Sequence, residues 1–203
     1  CGPGSGAGSR SSMNDVTERE VAVDLSPDLR LTRESVVTIV PDGVPRVLPA
    51  GERVTPVQAL GGSATVRIGS GEMARLSADD AVELGLIDPP PDPEDDRGDG
   101  TFSIDRVWAA LATVYDPEIP IDIVELGLVY RCEADERLDG THVEVDMSVT
   151  APFCGMGDVL RQDAAERVAA VPGVTSVNVQ LVLDPPWDQS RMSQAARLEL
   201  GML

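Results

Sequence analysis

The clearest candidate for chemistry is a cysteine in a short turn between a strand-like segment and a helix-like segment. Residues 150–157 have the sequence Thr-Ala-Pro-Phe-Cys-Gly-Met-Gly, so Gly155 follows Cys154 directly and Gly157 is three residues away. Unpaired amides and the dipole at the start of a helix stabilise a thiolate. The glycines let backbone amides approach a bound anion, a metal or an inorganic sulfide. The alternative is a cysteine packed beneath the helix, with glycines that serve only the turn.

A second candidate is the loop of residues 116–120, Asp-Pro-Glu-Ile-Pro. Its two prolines restrict the backbone, which holds the carboxylates of Asp116 and Glu118 in defined positions. Two fixed carboxylates can bind a hard metal ion, orient a partner or cap local structure. The residues alone favour the structural interpretation.

A cysteine-dependent hydrolase or transferase is a third interpretation, and it needs a base beside the thiol. The chain has one histidine, His142, at the start of an alternating segment and on its polar side. Cys132 is in phase with Leu128 and Tyr130 on an apolar face, which indicates a small core residue. With no cysteine near His142 in sequence, we expect that the protein is not an enzyme.

The composition excludes several classes of protein. The formal net charge of the 203-residue chain is −19, which disfavours nucleic acid and anionic membranes because both are bound through Lys and Arg. All basic residues are arginine, which excludes Schiff-base chemistry and a lysine-bearing phosphate loop. No apolar run approaches the roughly 20 residues that span a bilayer.

The cysteines Cys1, Cys132 and Cys154 lack the spacing of a disulfide framework or a zinc site, so we expect a reducing, cytoplasmic setting. The first residues, Cys-Gly-Pro-Gly-Ser, resemble the start of a processed lipoprotein. A fragment or a misplaced start, with translation from Met13, is the favoured interpretation.

The chain is expected to have four parts. Residues 1–30 are Gly/Ser-rich and then polar, which predicts disorder. Residues 31–87 contain short apolar runs separated by turn residues and end in a helix capped by Ser77, which predicts a small β-rich module. Residues 88–100 are rich in acids and proline, as in an extended linker. Residues 101–203 form the last part.

This last part is predicted to be a small two-layer α+β domain. Apolar spacing predicts a helix after Ser103, strands around residues 126–132 and 142–149, a helix after Gly157, a strand at 177–183 and a final helix through residues 193–200. The order is α-β-β-α-β-α, with the helices packed on a mixed sheet of three strands. Trp187 is expected to be a plug between elements.

Three spaced segments carry a family resemblance. They are DPEIPIDIVELGLVY from Asp116, TAPFCGMG from Thr150 and AVPGVTSVNVQLVLDPPW from Ala170. Together they resemble the iron–sulfur assembly domain shared by PaaD, the eukaryotic cytosolic iron–sulfur targeting factors and SufT proteins. Residues 42–66 resemble the N-terminal extension of SufT proteins, and residues 193–203 resemble their C-terminus.

The resemblance implies an accessory factor in the assembly of iron–sulfur clusters or in the maturation of iron–sulfur proteins. It places the family's cysteine on Cys154, its acidic loop on Asp116 and Glu118, and its threonine on Thr150. One cysteine cannot complete four ligands, so a second chain or a partner must supply thiolates, or contact is transient. We expect a transient cluster, partners among assembly proteins and apoprotein clients, and a possible homodimer. The alternative is a metal-free adaptor that recruits clients.

Overall fold

The structure is a computed structural model that describes residues 29–89, 101–138, 140–151 and 155–202. Residues 1–28 of the predicted tail and residues 90–100 of the predicted linker therefore lie outside the described residues, as do Cys1, Asp139 and Cys154. The last two residues of the predicted tail are ordered as a short strand, Leu29–Arg30. The described residues fall into two modules, each with its own hydrophobic core. We call residues 29–89 the N-terminal module and residues 101–202 the C-terminal module. The exact domain boundaries stay predictions.

The N-terminal module is an antiparallel sheet followed by a short helix, as predicted. The strands, in the sheet order β1-β4-β5-β6-β2-β3, are β1 (Leu29–Arg30), β2 (Ser35–Val40), β3 (Val44–Leu48), β4 (Arg53–Leu60), β5 (Ser63–Ile68) and β6 (Met73–Leu76). Helix α1 (Ala78–Glu83) has Ser77 as its N-cap, and the Ser77 hydroxyl accepts a hydrogen bond from the Asp80 amide. The side chains of Val37, Val54 and Val66 are among those that form its hydrophobic core.

The sequence analysis missed β1, β4 and β6. Pro56 lies in the middle of β4, and proline normally argues against a paired strand because it cannot donate to the ladder. The structure accommodates it with a shift of register between Pro56 and Gln58, where β4 pairs with β5. A bulge of this kind is the position at which a sheet tolerates proline.

The C-terminal module has the predicted α+β architecture and element order. Helices pack on a mixed sheet in which β7 and β8 are antiparallel and β8 and β9 are parallel. The elements are α2 (Ile104–Leu111), β7 (Val129–Arg137), β8 (Gly140–Met147), α3 (Gly157–Ala169), β9 (Val174–Leu181), a 3-10 helix (Gln189–Arg191) and α4 (Gln194–Glu199). Because parallel strands need a crossover connection, α3 carries the chain from β8 to β9.

Two boundaries differ from the sequence prediction. Helix α2 ends at Leu111 instead of continuing to Tyr115, which forms an isolated bridge with Asp122. The first strand begins at Val129, not at Leu126, and its pairing shifts between Val129 and Arg131. Leu126 is fully buried in the turn before the strand. Its apolar side chain belongs to the core, although the residue is not part of the strand.

The end of the chain folds back over the turn before β7. The indole of Trp187 donates to the carbonyl of Leu126 at 2.8 Å, and the guanidinium of Arg191 lies 3.7 Å from the centre of the Tyr130 ring. Ser193 caps α4 and also donates to the carboxylate of Glu125. The predicted plug role of Trp187 is confirmed. None of the helices among the described residues has both the length and the apolar character needed to cross a bilayer.

Candidate functional site

Helix α3 starts at Gly157, two residues after the turn residue Gly155. Its N-cap is Met156, which is buried and supplies no side-chain hydrogen bond to the first turn. The first amides of a helix have no partner within the helix, and the Met156 side chain does not supply one to the start of α3. Cys154, the predicted contact for a cluster or metal, lies outside the described residues, but it is covalently joined to Gly155.

Each of the two predicted supporting glycines has a packing reason. A Cβ at Gly155 would lie 2.0 Å from the carbonyl oxygen of Asp42, and a Cβ at Gly157 would lie 3.2 Å from the Val149 side chain and 3.3 Å from that of Leu181. Neither glycine has a positive φ. Close contacts therefore account for both glycines, and their role towards a ligand stays a prediction.

The segment that leads into the cysteine turn contains a buried hydroxyl that the sequence analysis did not identify. Ser148 is 1% exposed, and within the described residues its Oγ has no hydrogen-bond partner. Leaving such a group unpaired costs about 1–3 kcal/mol. Thr150, the predicted threonine of the site, is half-buried two residues further on.

Asp116 organises the acidic loop from within. The residue is 6% exposed. Its Oδ1 accepts hydrogen bonds from the amides of Glu118 at 2.9 Å and Ile119 at 3.0 Å. Burial raises the pKa of Asp116 above its ordinary value, while the two backbone hydrogen bonds oppose that change. Glu118 is exposed. The structure thus separates the two carboxylates, one inside the loop and one in solvent.

Asp122 repeats the same arrangement a few residues later, and sequence reasoning missed it. Its Oδ1 accepts hydrogen bonds from the amides of Val124 at 2.9 Å and Glu125 at 3.0 Å. Burial is the first cause that raises the pKa of Asp122. The signal was an acid followed three residues later by Glu125, which is a pattern of backbone capping.

Cys132 packs against the main core, as predicted. It is half-buried beside the residues of the C-terminal core. Burial, followed by the charge of Glu133, raises the pKa of its thiol to about 11. A thiol with this pKa is almost entirely protonated near neutral pH and is a poor nucleophile.

His142 is far from the start of α3. It lies near the first residue of β8 and contacts the hydroxyl of Ser176 on β9. Five residues separate it from Met147 at the other end of β8, a span of roughly 16 Å at the usual rise of a strand. The start of α3 lies beyond that end, where Gly157 approaches Val149. Because Cys154 lies outside the described residues, the expectation that His142 does not pair with it stays a prediction.

The described residues contain no group of three or more His, Cys, Asp or Glu side chains placed to hold a metal ion. The carboxylates of Asp116 and Asp122 accept hydrogen bonds from backbone amides.

The similarity to known proteins lies in the part of the chain that contains these candidate residues. Residues 104–181 match the family described as iron–sulfur cluster assembly protein. A protein of Porphyromonas gingivalis named Fe-S protein maturation auxiliary factor is 44% identical over 93 residues, which are 46% of this chain and 86% of that protein. The Fe-S protein maturation auxiliary factor SufT of Staphylococcus aureus is 38% identical over 44% of this chain and 98% of its own length.

Among solved structures, the crystal structure of a domain of unknown function, DUF59, from Bacillus anthracis is 36% identical. The matched region is 49% of the present chain and 92% of the Bacillus anthracis chain, with a TM-score of 0.45. The family match lies wholly within the C-terminal module. The resemblance of residues 42–66 to an extension of SufT proteins stays a prediction. The chain belongs to the family of iron–sulfur cluster assembly proteins.

Proposed function

We propose that this protein is an accessory factor in iron–sulfur cluster assembly or in the maturation of iron–sulfur proteins, and that it handles a cluster as cargo through Cys154. The observation that carries the proposal is the similarity to proteins named Fe-S protein maturation auxiliary factors over nearly their whole length. Other relatives are named iron-sulfur cluster carrier protein, including one of Deinococcus radiodurans at 34% identity over 21% of its length.

The chemistry of the turn supports a thiolate at Cys154. The N-cap residue of α3, Met156, forms no side-chain hydrogen bond to the first turn, and free amides at a helix start favour a negative sulfur. We assign supporting roles to Thr150, Gly155 and Gly157 of this segment and to Asp116 and Glu118 of the acidic loop. One thiolate per chain leaves a cluster under-ligated. We therefore expect a labile cluster, completed by a second chain in a homodimer, by an assembly protein or by an apoprotein client.

A metal-free adaptor is the second candidate. It is favoured by the lack of a group of three or more metal-binding side chains among the described residues. An adaptor would bring clients to the assembly machinery without binding iron.

Anaerobic reconstitution with iron and sulfide separates the two candidates. Wild type, Cys154→Ser and Cys132→Ser are compared by iron and sulfide content and by visible absorbance. A Cys1→Ser background removes the terminal thiol. Cys132→Ser is the matched control because Cys132 is half-buried with a raised pKa.

A carrier predicts a cluster in wild type and in Cys132→Ser that is lost in Cys154→Ser. No cluster in any variant, with all of them folded by circular dichroism, contradicts the carrier and leaves the adaptor. Light scattering before and after reconstitution reports whether the cluster joins two chains.

A further inference from the structure

Strand β9 forms one edge of the sheet in the C-terminal module. Among the described residues this sheet has the order β7-β8-β9, so β9 pairs with β8 on one side only. The amide of Val182 donates to the carbonyl of Met147 on β8 at 2.8 Å, and backbone groups alternate in direction along a strand. The amides and carbonyls of Val177, Val179 and Leu181 therefore point away from β8, towards the open edge.

The sequence of β9 lacks the side chains that normally protect a sheet edge. Its eight residues, Val-Thr-Ser-Val-Asn-Val-Gln-Leu, include no charged residue and no proline. A shift of register lies near its first residues, and its pairing with β8 is regular from Ser176 to Leu181. Edges usually carry charges or proline, or are very short, because unpaired backbone groups recruit other strands. An edge of this length without that protection is a place at which another strand can add.

The strands at the other sheet edges in the described part of the chain are protected. Five of the nine residues of β7, at the opposite edge of the same sheet, are charged. In the N-terminal sheet, β3 contains Pro45 and Arg46, and β1 has only two residues. The lack of protection is therefore specific to β9 and is not a general property of the strands of this chain.

The side chains on the two faces of β9 suit a copy of the same strand. On the helix side, Val177 and Leu181 pack against the core but are only partly buried. On the other side, Asn178 and Gln180 are exposed, and a carboxamide can both donate to and accept from an identical carboxamide. A charged side chain is repelled by its own copy, whereas these apolar and amide side chains can face themselves.

The charge of the chain favours β9 over other surfaces for contact between two copies. The formal net charge is −19, so two copies repel each other. Close approach costs least where a surface carries no charge, as along β9. The acids that lie beside β9 on the neighbouring strand, Glu144 and Asp146, are both paired with Arg131, which reduces their repulsion. A basic partner protein would gain nothing from an uncharged strand.

We propose that β9 pairs in the antiparallel sense with β9 of a second copy of this chain, so that two three-stranded sheets form one six-stranded sheet. A two-fold axis at the edge places the same surface on both sides of the interface. The hydrogen bonds between the chains form among the outward backbone groups of Val177, Val179 and Leu181. This pairing is an interaction surface of the fold, and it holds whether or not the protein handles a cluster.

The test is sedimentation equilibrium of the full chain over a range of protein concentrations, without iron and with a reductant that prevents disulfides between chains. Asn178→Asp with Gln180→Glu keeps the shape of both side chains and adds two negative charges per chain at the proposed interface. Gln189→Glu with Gln194→Glu is the matched control, because both glutamines are exposed and lie outside β9. We expect a dimer in wild type and in the control, with a dissociation constant about tenfold larger in the β9 variant.

Amide hydrogen exchange, followed by NMR, locates the interface without any substitution. In wild type at a concentration at which the dimer dominates, the amides of Val177, Val179 and Leu181 should exchange about tenfold more slowly than at a dilution at which the monomer dominates. The amides of β7, at the opposite edge of the sheet, should exchange at the same rate at both concentrations. Circular dichroism of both double variants checks that they keep the fold of wild type.

A wild-type chain that stays monomeric at every concentration would overturn the proposal. A dimer that is equally strong in the β9 variant and the control, or slowed exchange confined to other strands, would do so as well. Because the assays contain no iron, they are independent of reconstitution. A Cys154-dependent cluster on a monomer would reject the pairing and keep the carrier, whereas a β9-dependent dimer that binds no cluster would reject the carrier and keep the pairing.

Discussion

Replacement of Asp116 tests whether the acidic loop is a scaffold or a ligand. In wild type one carboxylate oxygen accepts two backbone hydrogen bonds, at 2.9 and 3.0 Å, from a residue that is 6% exposed. Asp116→Ala leaves both amides without that acceptor. Hydrogen bonds to a charged group contribute about 1.5–3 kcal/mol each, and the desolvation of the carboxylate offsets part of this. We expect a loss of about 2 kcal/mol in the free energy of unfolding.

Asp116→Asn keeps an oxygen in the same place and removes the charge. Its expected cost is below about 1 kcal/mol. Glu118→Gln is the matched control on the exposed side of the loop, where substitutions usually change stability by less than about 0.5 kcal/mol. Denaturant unfolding at pH 7 measures all three variants, and an unchanged m-value shows that only stability has changed.

The pH dependence has a defined sign. Burial raises the pKa of Asp116 in the folded protein above the unfolded value of about 3.9. At pH values between these two pKa values, the native state therefore binds more protons than the unfolded state. Stability from this group is therefore full below the unfolded pKa and is lost as pH rises through the folded pKa. The stability of wild type relative to Asp116→Asn should fall as pH rises from 4 towards neutrality.

Two results would refute the interpretation that the Asp116 oxygen, and not its charge, holds the loop. One is an Asn variant as unstable as the Ala variant, which would mean that the charge itself stabilises the loop. The other is a relative stability that rises with pH. Loss of reconstituted cluster in a stable Asp116→Asn variant would instead assign the carboxylate to the ligand.

Three further experiments, one on the wild-type protein and two on substituted proteins, test individual groups. The thiol of Cys132, with a pKa of about 11, should be alkylated slowly at pH 8 and faster at each higher pH up to that value; a plateau below pH 9 would contradict its burial. Ser148→Ala removes a hydroxyl without a partner among the described residues, and it should leave the free energy of unfolding unchanged or raise it. A decrease of more than about 1 kcal/mol in that free energy would reveal a hydrogen-bond partner of the hydroxyl. Trp187→Phe removes the hydrogen bond to the Leu126 carbonyl and should cost about 1 kcal/mol or more in denaturant unfolding, whereas wild-type stability would show that the indole N–H is not needed.

The architecture of the C-terminal module was predictable because its signals are local. Leu160, Ala164 and Val168 recur at helical spacing and are buried on one side of α3. Ser103 caps α2 through its hydroxyl, as its position before the apolar run predicted. These patterns depend only on neighbouring residues, so no tertiary information was needed.

The sequence could not predict features that depend on distant residues. Pro56 is acceptable in β4 only because β5 pairs with it through a bulge. Gly155 is required by Asp42, more than a hundred residues earlier in the chain. Glycine beside a cysteine suggested room for a ligand, while the structure shows that a second backbone fills part of that room.

The strong negative charge of the chain does not make the candidate site a site for hard cations. Asp116 and Asp122 accept backbone amides, and Asp163 is paired with Arg75. Burial is the first cause of a raised pKa at each of these three acids. Calcium and magnesium need several ionised oxygens free to coordinate them. A cysteine thiolate is a soft ligand, and this contrast is why the proposed function depends on Cys154 and not on these three acids.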